Sequence, residues 1–227
     1  MLRPALIAGA VGFTAWTPRL LRLRRQVPSY AAYWRDRAEQ PGAFRYLALG
    51  DSVAQGIGAS APQHGYVGLL AERAAARLGV EVAVENLSRG GARVTDVLSE
   101  QAPLLAGRQA DLVTLAIGGN DVAHYGEPTF VRALAELLDA LPEGAFVADL
   151  PDFGGGPRLL RARRASALVR AYVANRPLRP VPLEQVTAAR MRAFGSYAAD
   201  WFHPSDRGHE VWADAFWREI EPTLTAD

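Results

Sequence analysis

The chain has 227 residues, of which 49% are apolar and 22% are charged, a composition typical of globular proteins and unlike that of disordered ones. Its 25 basic residues, all arginines, nearly balance 24 acidic residues, and this near-zero net charge argues against a nucleic-acid-binding surface over the whole domain. The absence of cysteine excludes disulfides, thiolate metal sites and a cysteine nucleophile.

The first 25 residues differ from the rest of the chain. An apolar run from Ala5 to Trp16 is followed by four arginines, Arg19, Arg22, Arg24 and Arg25. The run has about 12 residues where a membrane-spanning helix needs ~20, and Pro18 closes it. Most of the positive charge follows the run, whereas a secretory signal carries it in front. A signal peptide, a membrane anchor or surface helix, and a soluble leader helix all stay open.

The second of these alternatives predicts peripheral membrane contact through residues 1–25. If that segment inserted, its arginines would favour a cytoplasmic position for the rest of the chain. We expect a cytoplasmic protein, or one on the cytoplasmic side of a membrane, with secretion as the alternative. The turn signal Gln40-Pro41-Gly42 predicts a division into an N-terminal leader, residues 1–42, and one folded domain, residues 43–227.

Within that domain, strand-like and helix-like patterns alternate. Strands are predicted at 46–50, 80–87, 111–117 and 146–150, with a weak, proline-interrupted candidate at 178–186. Helices are predicted at 65–78, 94–105, 128–141, 158–174 and 205–220. This alternation predicts an α/β protein with a parallel sheet and helices on both of its faces.

Three of the predicted strands end in glycine-containing turns: Gly50-Asp51-Ser52, Ser88-Arg89-Gly90-Gly91 and Gly118-Gly119-Asn120-Asp121. In a parallel sheet these turns lie along one edge, where ligands bind. Ser52 is then a candidate nucleophile, and the Gly91 N–H and the Asn120 amide are candidate donors to an oxyanion. Each turn alone is also compatible with a purely structural role.

The segment Asp200-Trp201-Phe202-His203-Pro204 supplies the base that a serine nucleophile needs. An acid three residues before a histidine accepts its Nδ1–H if the loop folds back, leaving Nε2 free to take the serine proton. A metal site is the alternative, because Asp200, His203, Asp206 and His209 recur every three positions. Pro204 prevents one continuous helix from presenting all four, so we favour the first interpretation and predict that His209 lies on the surface.

Together these motifs resemble, in order, the four blocks of the SGNH (GDSL-type) hydrolase family, over Tyr46 to about Trp212. The resemblance implies a three-layer α/β/α, flavodoxin-like fold and esterase, lipase, thioesterase or acetylesterase chemistry on a small-molecule ester, with no metal or other cofactor. It implies that Ser52, Asp200 and His203 are catalytic and that Ser52, Gly91 and Asn120 form the oxyanion hole. Gly90 stays open as the glycine donor. Val53 stands where the family name has leucine.

Two other functions are considered. A catalytically inactive SGNH-fold binding module would be favoured by loss of one of the four blocks, and none is lost. A nucleotide-binding protein is suggested by Gly56-Ile57-Gly58, with Ala61 at the third glycine position, a substitution that the dinucleotide fingerprint sometimes allows. This function is not favoured, because Ser52 and not Gly56 follows the strand directly.

The substrate is less well defined by the sequence. The loops Ala59 to His64 and His124 to Thr129 are expected to line the pocket. The candidate substrate contacts are His64, Tyr66, His124 and Tyr125, together with Asp51. The lack of a long lid insertion favours short acyl chains, and a monomer is the expected state. The arginines of the 158–174 helix, Arg158, Arg161, Arg163 and Arg164, are interpreted as a solvated face, with a site for anionic head groups as the alternative.

Overall fold

A computed structural model describes residues 5–124, 126–153, 156–192 and 195–225. Its centre is a sheet of five strands, β1 (Phe44–Gly50), β2 (Val82–Asn86), β3 (Leu112–Ala116), β4 (Phe146–Ala148) and β5 (Arg179–Val181). The strands are all parallel and lie in the order β2-β1-β3-β4-β5. This is the flavodoxin-like order, in which ligands bind where the chain changes direction between β1 and β3.

The helices described are α1 (Ala5–Ala38), α2 (Tyr66–Leu78), α3 (Val94–Asp96), α4 (Glu127–Asp139), α5 (Gly156–Val173), α6 (Leu183–Arg190) and α7 (Asp206–Ile220). After α3 the chain continues through a π-helical turn, Val97–Gln101, and a 3-10 turn, Ala102–Leu105. Further 3-10 turns span Pro62–His64, Asp121–His124 and Glu221–Thr223.

Two hydrophobic cores lie on opposite faces of the sheet, because successive side chains of a strand point to opposite sides. In β1, Tyr46 and Ala48 pack with residues of α1, α2, α6 and α7. Leu47 and Leu49 pack on the other face with residues of α3, α4 and α5. The predicted three-layer α/β/α architecture is confirmed.

The weak strand predicted at residues 178–186 is only half correct. β5 ends at Val181, and α6 begins at Leu183 with Pro182 as its N-cap residue. A proline before the first turn suits a helix start, because it removes an N–H that would have no partner within the helix. The second half of this segment is therefore helical.

Helix α1 continues through Pro18 and Pro28 to Ala38. Three of its residues at a spacing of four, Gln26, Tyr30 and Trp34, are buried against the rest of the molecule. Among the residues described, no helix has both the length and the hydrophobicity that crossing a bilayer would require. The division at residues 42 and 43 stays a prediction, and the second half of α1 packs on the domain that was predicted to follow it.

Candidate active site

The turn that carries Ser52 is fixed at the end of β1. Gly50 has a φ of 150°, and a Cβ at this position would lie 2.5 Å from the Ala116 carbonyl oxygen, so glycine is required. The buried Gln101 side chain accepts a hydrogen bond from the Gly50 N–H and donates one to its carbonyl, both at 2.9 Å. These contacts hold Ser52 at the carboxyl edge of the sheet, where its side chain opens into a groove.

Ser52, His203 and Asp200 form a continuous hydrogen-bonded chain. The Ser52 Oγ lies 2.9 Å from His203 Nε2, and His203 Nδ1 lies 2.6 Å from Asp200 Oδ2. A carboxylate can only accept, so Nδ1 carries the proton and Nε2 is the acceptor for the serine hydroxyl. This is the geometry of an activated serine nucleophile, assembled from residues 151 positions apart.

The Asp200 carboxylate is oriented by its own loop. Its Oδ1 accepts the backbone N–H groups of Phe202 and His203, each at 3.0 Å, which folds the acid back onto the histidine. The turn places Trp201 at a φ of 55°, a left-handed conformation uncommon for residues other than glycine. Burial would raise the pKa of Asp200, but its contacts with His203 and these two N–H groups lower that pKa below its ordinary value. Asp200 is thus held as an anion.

The loop after Ser52 and the loop that carries His203 touch at Gly58. This glycine has a φ of 101°, and a Cβ there would lie 2.1 Å from the Pro204 carbonyl oxygen and 2.9 Å from His203 Cβ. The absence of a side chain therefore lets the loop after Ser52 approach the histidine loop. Ser205 follows Pro204 and is the N-cap residue of α7, where its side chain accepts the Gly208 N–H. The histidine loop therefore ends at the start of this helix.

Hydrogen-bond donors converge on the same groove. Among the residues described, the backbone N–H groups of Ser52, Gly90 and Gly91 have no acceptor within the protein. Gly91 has a φ of 78°, the left-handed conformation that favours glycine. Asn120, at the end of β3, donates its amide to the Ala92 carbonyl at 2.9 Å and to Asp51 Oδ2 at 3.2 Å. All four residues border the groove and could surround a developing negative charge.

Asp51 and Asp121 are two acids close to Asn120. Asp51 is 6% exposed and its Oδ1 accepts the Val53 N–H at 2.9 Å, while Asp121 accepts the Val94 N–H at 3.2 Å. Burial raises the pKa of each carboxyl to about 6, although these hydrogen bonds act to lower it. A buried acid behind the Asn120 amide is consistent with orienting that amide.

The groove has a volume of about 630 Å³. In addition to the residues above, Ile57 and Phe202 line it, and helix α1 contributes Leu21, Leu23, Arg24 and Val27. The Phe202 ring stacks on Phe153 with ring centroids 5.9 Å apart and meets the His203 ring edge-on. The site therefore has a polar side that holds Ser52 and its partners, and an apolar side formed largely by residues that sequence reasoning did not identify.

Asp51, His64 and Tyr66, three of the candidate substrate contacts, do not line the groove. Asp51 is buried behind Asn120, and His64 is exposed on a surface turn with its Nδ1 2.8 Å from the Ser60 hydroxyl. The prediction that Tyr66 lines the pocket is wrong, because Tyr66 is fully buried and stacks on Phe216. The His124 side chain and Tyr125 lie outside the described residues.

The surface position predicted for His209 is also wrong. His209 is completely buried, its Nδ1 accepts the Tyr66 N–H at 3.2 Å, and its Nε2 lies 3.2 Å from the Ile57 carbonyl. Burial lowers its pKa to about 4, so the ring is neutral at pH 7. The described residues contain no cluster of three or more acidic or histidine side chains that could hold a metal ion.

The arginines of α5 mostly have partners within the protein. Arg161 donates to the Val122 carbonyl at 3.3 Å, Arg164 pairs with Glu127 at 2.8 Å, and Arg163 lies 3.7 Å from Glu184. The Arg158 side chain lies outside the described residues. The paired side chains fit a solvated helix face better than a site for anionic head groups.

Known proteins share the sequence family and the fold of this chain. Residues 48–211 match the sequence model of the GDSL-like Lipase/Acylhydrolase family. No curated protein sequence matches the chain. The crystal structure of TesA is similar with a TM-score of 0.65 and 25% identity, over 79% of this chain and 99% of TesA.

Two further solved structures share the fold. One is Axe2, an acetylxylan esterase from Geobacillus stearothermophilus, with a TM-score of 0.59 and 22% identity over 78% of this chain and 94% of Axe2. The other is the esterase EstA from Pseudoalteromonas sp., inhibited by monoethylphosphonate, with a TM-score of 0.63 and 18% identity over 79% of this chain and 98% of EstA.

Proposed function

Because the chain belongs to the GDSL-like lipase/acylhydrolase family and is a carboxylic ester hydrolase, we propose that it works through an acyl-enzyme formed on Ser52. The observation that carries this proposal is the chain of contacts from Ser52 Oγ to His203 Nε2, at 2.9 Å, and from His203 Nδ1 to Asp200, at 2.6 Å. The inactive binding module is not favoured, since each group that the chemistry needs is present.

In the first half-reaction, His203 Nε2 takes the Ser52 proton as Oγ attacks the ester carbonyl carbon. The Asp200 anion stabilises the imidazolium that forms, and its hydrogen bond keeps the ring oriented. His203 then gives the proton to the leaving alcohol, whose bond to the acyl carbon breaks. In the second half-reaction the same nitrogen takes a proton from a water whose oxygen attacks the acyl carbon. The bond from that carbon to Oγ then breaks, His203 returns the proton to Oγ, and the acid leaves.

The carbonyl oxygen becomes negative in both tetrahedral intermediates. We propose that the N–H groups of Ser52 and Gly91 and the amide of Asn120 receive it, with Gly90 as the alternative glycine donor. The backbone donors support this role because they have no other acceptor among the described residues. The Asn120 amide would turn one N–H from the Ala92 carbonyl to the oxyanion and keep its hydrogen bond to Asp51.

The test is hydrolysis of p-nitrophenyl esters, from acetate to palmitate, by the full chain and its variants. Ser52→Ala should reduce kcat by about 10³-fold or more, because the nucleophile is lost. Asn120→Ala should reduce it by about 10²- to 10³-fold, the usual effect of removing one oxyanion donor. Ser60→Ala is the matched control, because the Ser60 hydroxyl contacts His64 outside the groove. Unchanged hydrolysis by purified Ser52→Ala would overturn the proposal.

A further inference from the structure

We propose that helix α1 forms the wall of an acyl-chain subsite, in which Leu23 and Val27 determine the length of chain that the enzyme accepts. This subsite rests on the proposed function and adds to it a preference for the length of the acyl chain. It concerns a part of the molecule that the family match, residues 48–211, does not include.

Helix α1 is fixed to the loop that follows Ser52. The buried Gln26 side chain accepts the Gly58 N–H at 3.0 Å and donates to the Ala59 carbonyl at 2.8 Å. Tyr30 donates to the same carbonyl at 2.9 Å. Trp34 donates its indole N–H to the Gln55 carbonyl, also at 2.9 Å. Since these acceptors lie three to seven residues after Ser52, the helix has a defined position relative to Oγ.

The face of α1 beside the groove is largely apolar. Leu23 and Val27 are one helical turn apart and therefore lie on the same side of α1. Both line the groove together with Leu21, and Ile57 and Phe202 add apolar surface. Val27 is 41% exposed and Leu21 48% exposed, so apolar surface on this wall remains in contact with water until a ligand covers it. Arg24 adds a cationic side chain to the same wall.

The position of α1 relative to the Gly90–Gly91 turn indicates which part of an ester lies against the helix. A Cβ built on Gly90 would lie 3.4 Å from Val27 Cγ1, so Val27 borders the Gly90–Gly91 turn where we place the carbonyl oxygen. The alcohol must leave beside His203 Nε2, which protonates it. The carbonyl carbon has one other substituent, the acyl chain, and we assign this chain to the α1 wall. A groove of about 630 Å³ is within the ~300–1,000 Å³ of pockets that take drug-sized ligands, larger than an acetyl group requires.

The experiment compares Val27→Trp with Val80→Trp in the full chain. Both valines are about equally exposed, at 41% and 38%, but Val80 is not among the residues that line the groove. A tryptophan at position 27 should fill the subsite. We expect kcat/KM for the octanoate and longer p-nitrophenyl esters to fall about tenfold or more, with the acetate ester affected less than threefold. Val80→Trp should leave the whole chain-length profile unchanged.

Two additions make the outcome decisive. Val27→Ser, which shortens the wall instead of filling the groove, should weaken the preference for longer chains if the tryptophan variant does not fold. Decanoate binding to Ser52→Ala, measured by calorimetry, should weaken about tenfold when Val27→Trp is added and should not weaken with Val80→Trp. This second readout does not depend on catalysis.

The results separate this inference from the proposed function. Hydrolysis that needs Ser52 but responds equally at every acyl length to Val27→Trp would overturn the acyl subsite and leave the proposed chemistry intact. A response to the size of the alcohol, with none to the acyl length, would show that the assignment of the groove is wrong. Hydrolysis that persists in Ser52→Ala would overturn the proposed function, while the decanoate measurement would still decide the role of α1.

Discussion

At the scale of single residues, the site is built around a buried acid that the proposed chemistry does not use directly. Asp51 accepts the Val53 N–H and the Asn120 amide, and burial raises its pKa to about 6. Keeping such a carboxylate ionised at neutral pH costs stability, and the structure gives one reason for its presence, the orientation of Asn120. We interpret Asp51 as a positioning residue for the oxyanion donor and not as a substrate contact.

Asp51→Asn should therefore stabilise the protein at neutral pH and lower its kcat. Below pH 3.8 the carboxyl is protonated in the folded and unfolded states, and its contribution to stability is fully present. As the pH rises through about 6, the wild type loses that contribution, whereas the neutral amide does not. The unfolding free energy of the variant minus that of the wild type should therefore be roughly 2–3 kcal/mol larger at pH 7.5 than at pH 4, since one pKa unit is about 1.4 kcal/mol.

The same variant should lower kcat about tenfold with little change in KM, less than Asn120→Ala, because the amide is loosened and not removed. Denaturant unfolding at the two pH values and ester kinetics measure both effects. Parallel stability curves for wild type and variant, or full activity in the variant, would show that Asp51 does not have this role.

At the scale of elements, α7 and α1 support the loops of the site from outside it. His209 of α7 accepts the Tyr66 N–H at the start of α2 and donates to the Ile57 carbonyl, five residues after Ser52. Both contacts require a neutral ring with its proton on Nε2. Helix α1 contacts the carbonyls of Gln55 and Ala59 in the same loop. The loop after Ser52 is thus held from two sides.

His209 should make the protein sensitive to acid. Burial lowers its folded-state pKa to about 4, below the ordinary 6.5, so its contribution to stability is present above pH 6.5 and is lost as the pH falls through 4. The wild type should lose roughly 3 kcal/mol from this residue across that range, since one pKa unit is about 1.4 kcal/mol.

The control is His209→Gln, a side chain that keeps a donor and an acceptor but does not titrate. The advantage of the wild type over this variant in unfolding free energy should be largest at pH 7 and should shrink towards pH 4. Denaturant titrations at four or five pH values suffice for the comparison. An advantage that is constant across the range would contradict the assignment of a buried neutral histidine.

At the scale of the whole molecule, the parallel sheet follows from the alternation of patterns, and the meeting of Ser52, Gly91 and Asn120 follows from the common edge of parallel strands. The failures have physical reasons. A short distance to Ser52 along the chain does not determine which residues of the following loop face the groove, and Tyr66 instead packs in the core. A surface position for His209 is wrong because Trp212, Ala213 and Phe216 follow it at the spacing of a buried helical stripe.

The packing of α1 on the domain does not follow from its apolar run, because the residues that make the contacts lie after that run. Its contacts are made by Gln26, Tyr30 and Trp34, whose backbone acceptors lie 21 to 33 positions away in the chain. A spacing of four marks one helix face, but the sequence does not say what that face meets. Membrane contact through residues 1–25, the cytoplasmic location and the monomeric state stay predictions.

The central claim is that Ser52, activated by His203, becomes covalently bonded to the acyl group. The most direct measurement is reaction with a p-nitrophenyl alkylphosphonate, in which a bond from Ser Oγ to phosphorus forms as p-nitrophenolate leaves, followed by peptide mapping with mass spectrometry. We predict one phosphonyl group per chain, located on Ser52, with none in Ser52→Ala and labelling slowed by about 10³-fold in His203→Ala. Modification of another residue, or equal rates of labelling in His203→Ala and the wild type, would contradict the account.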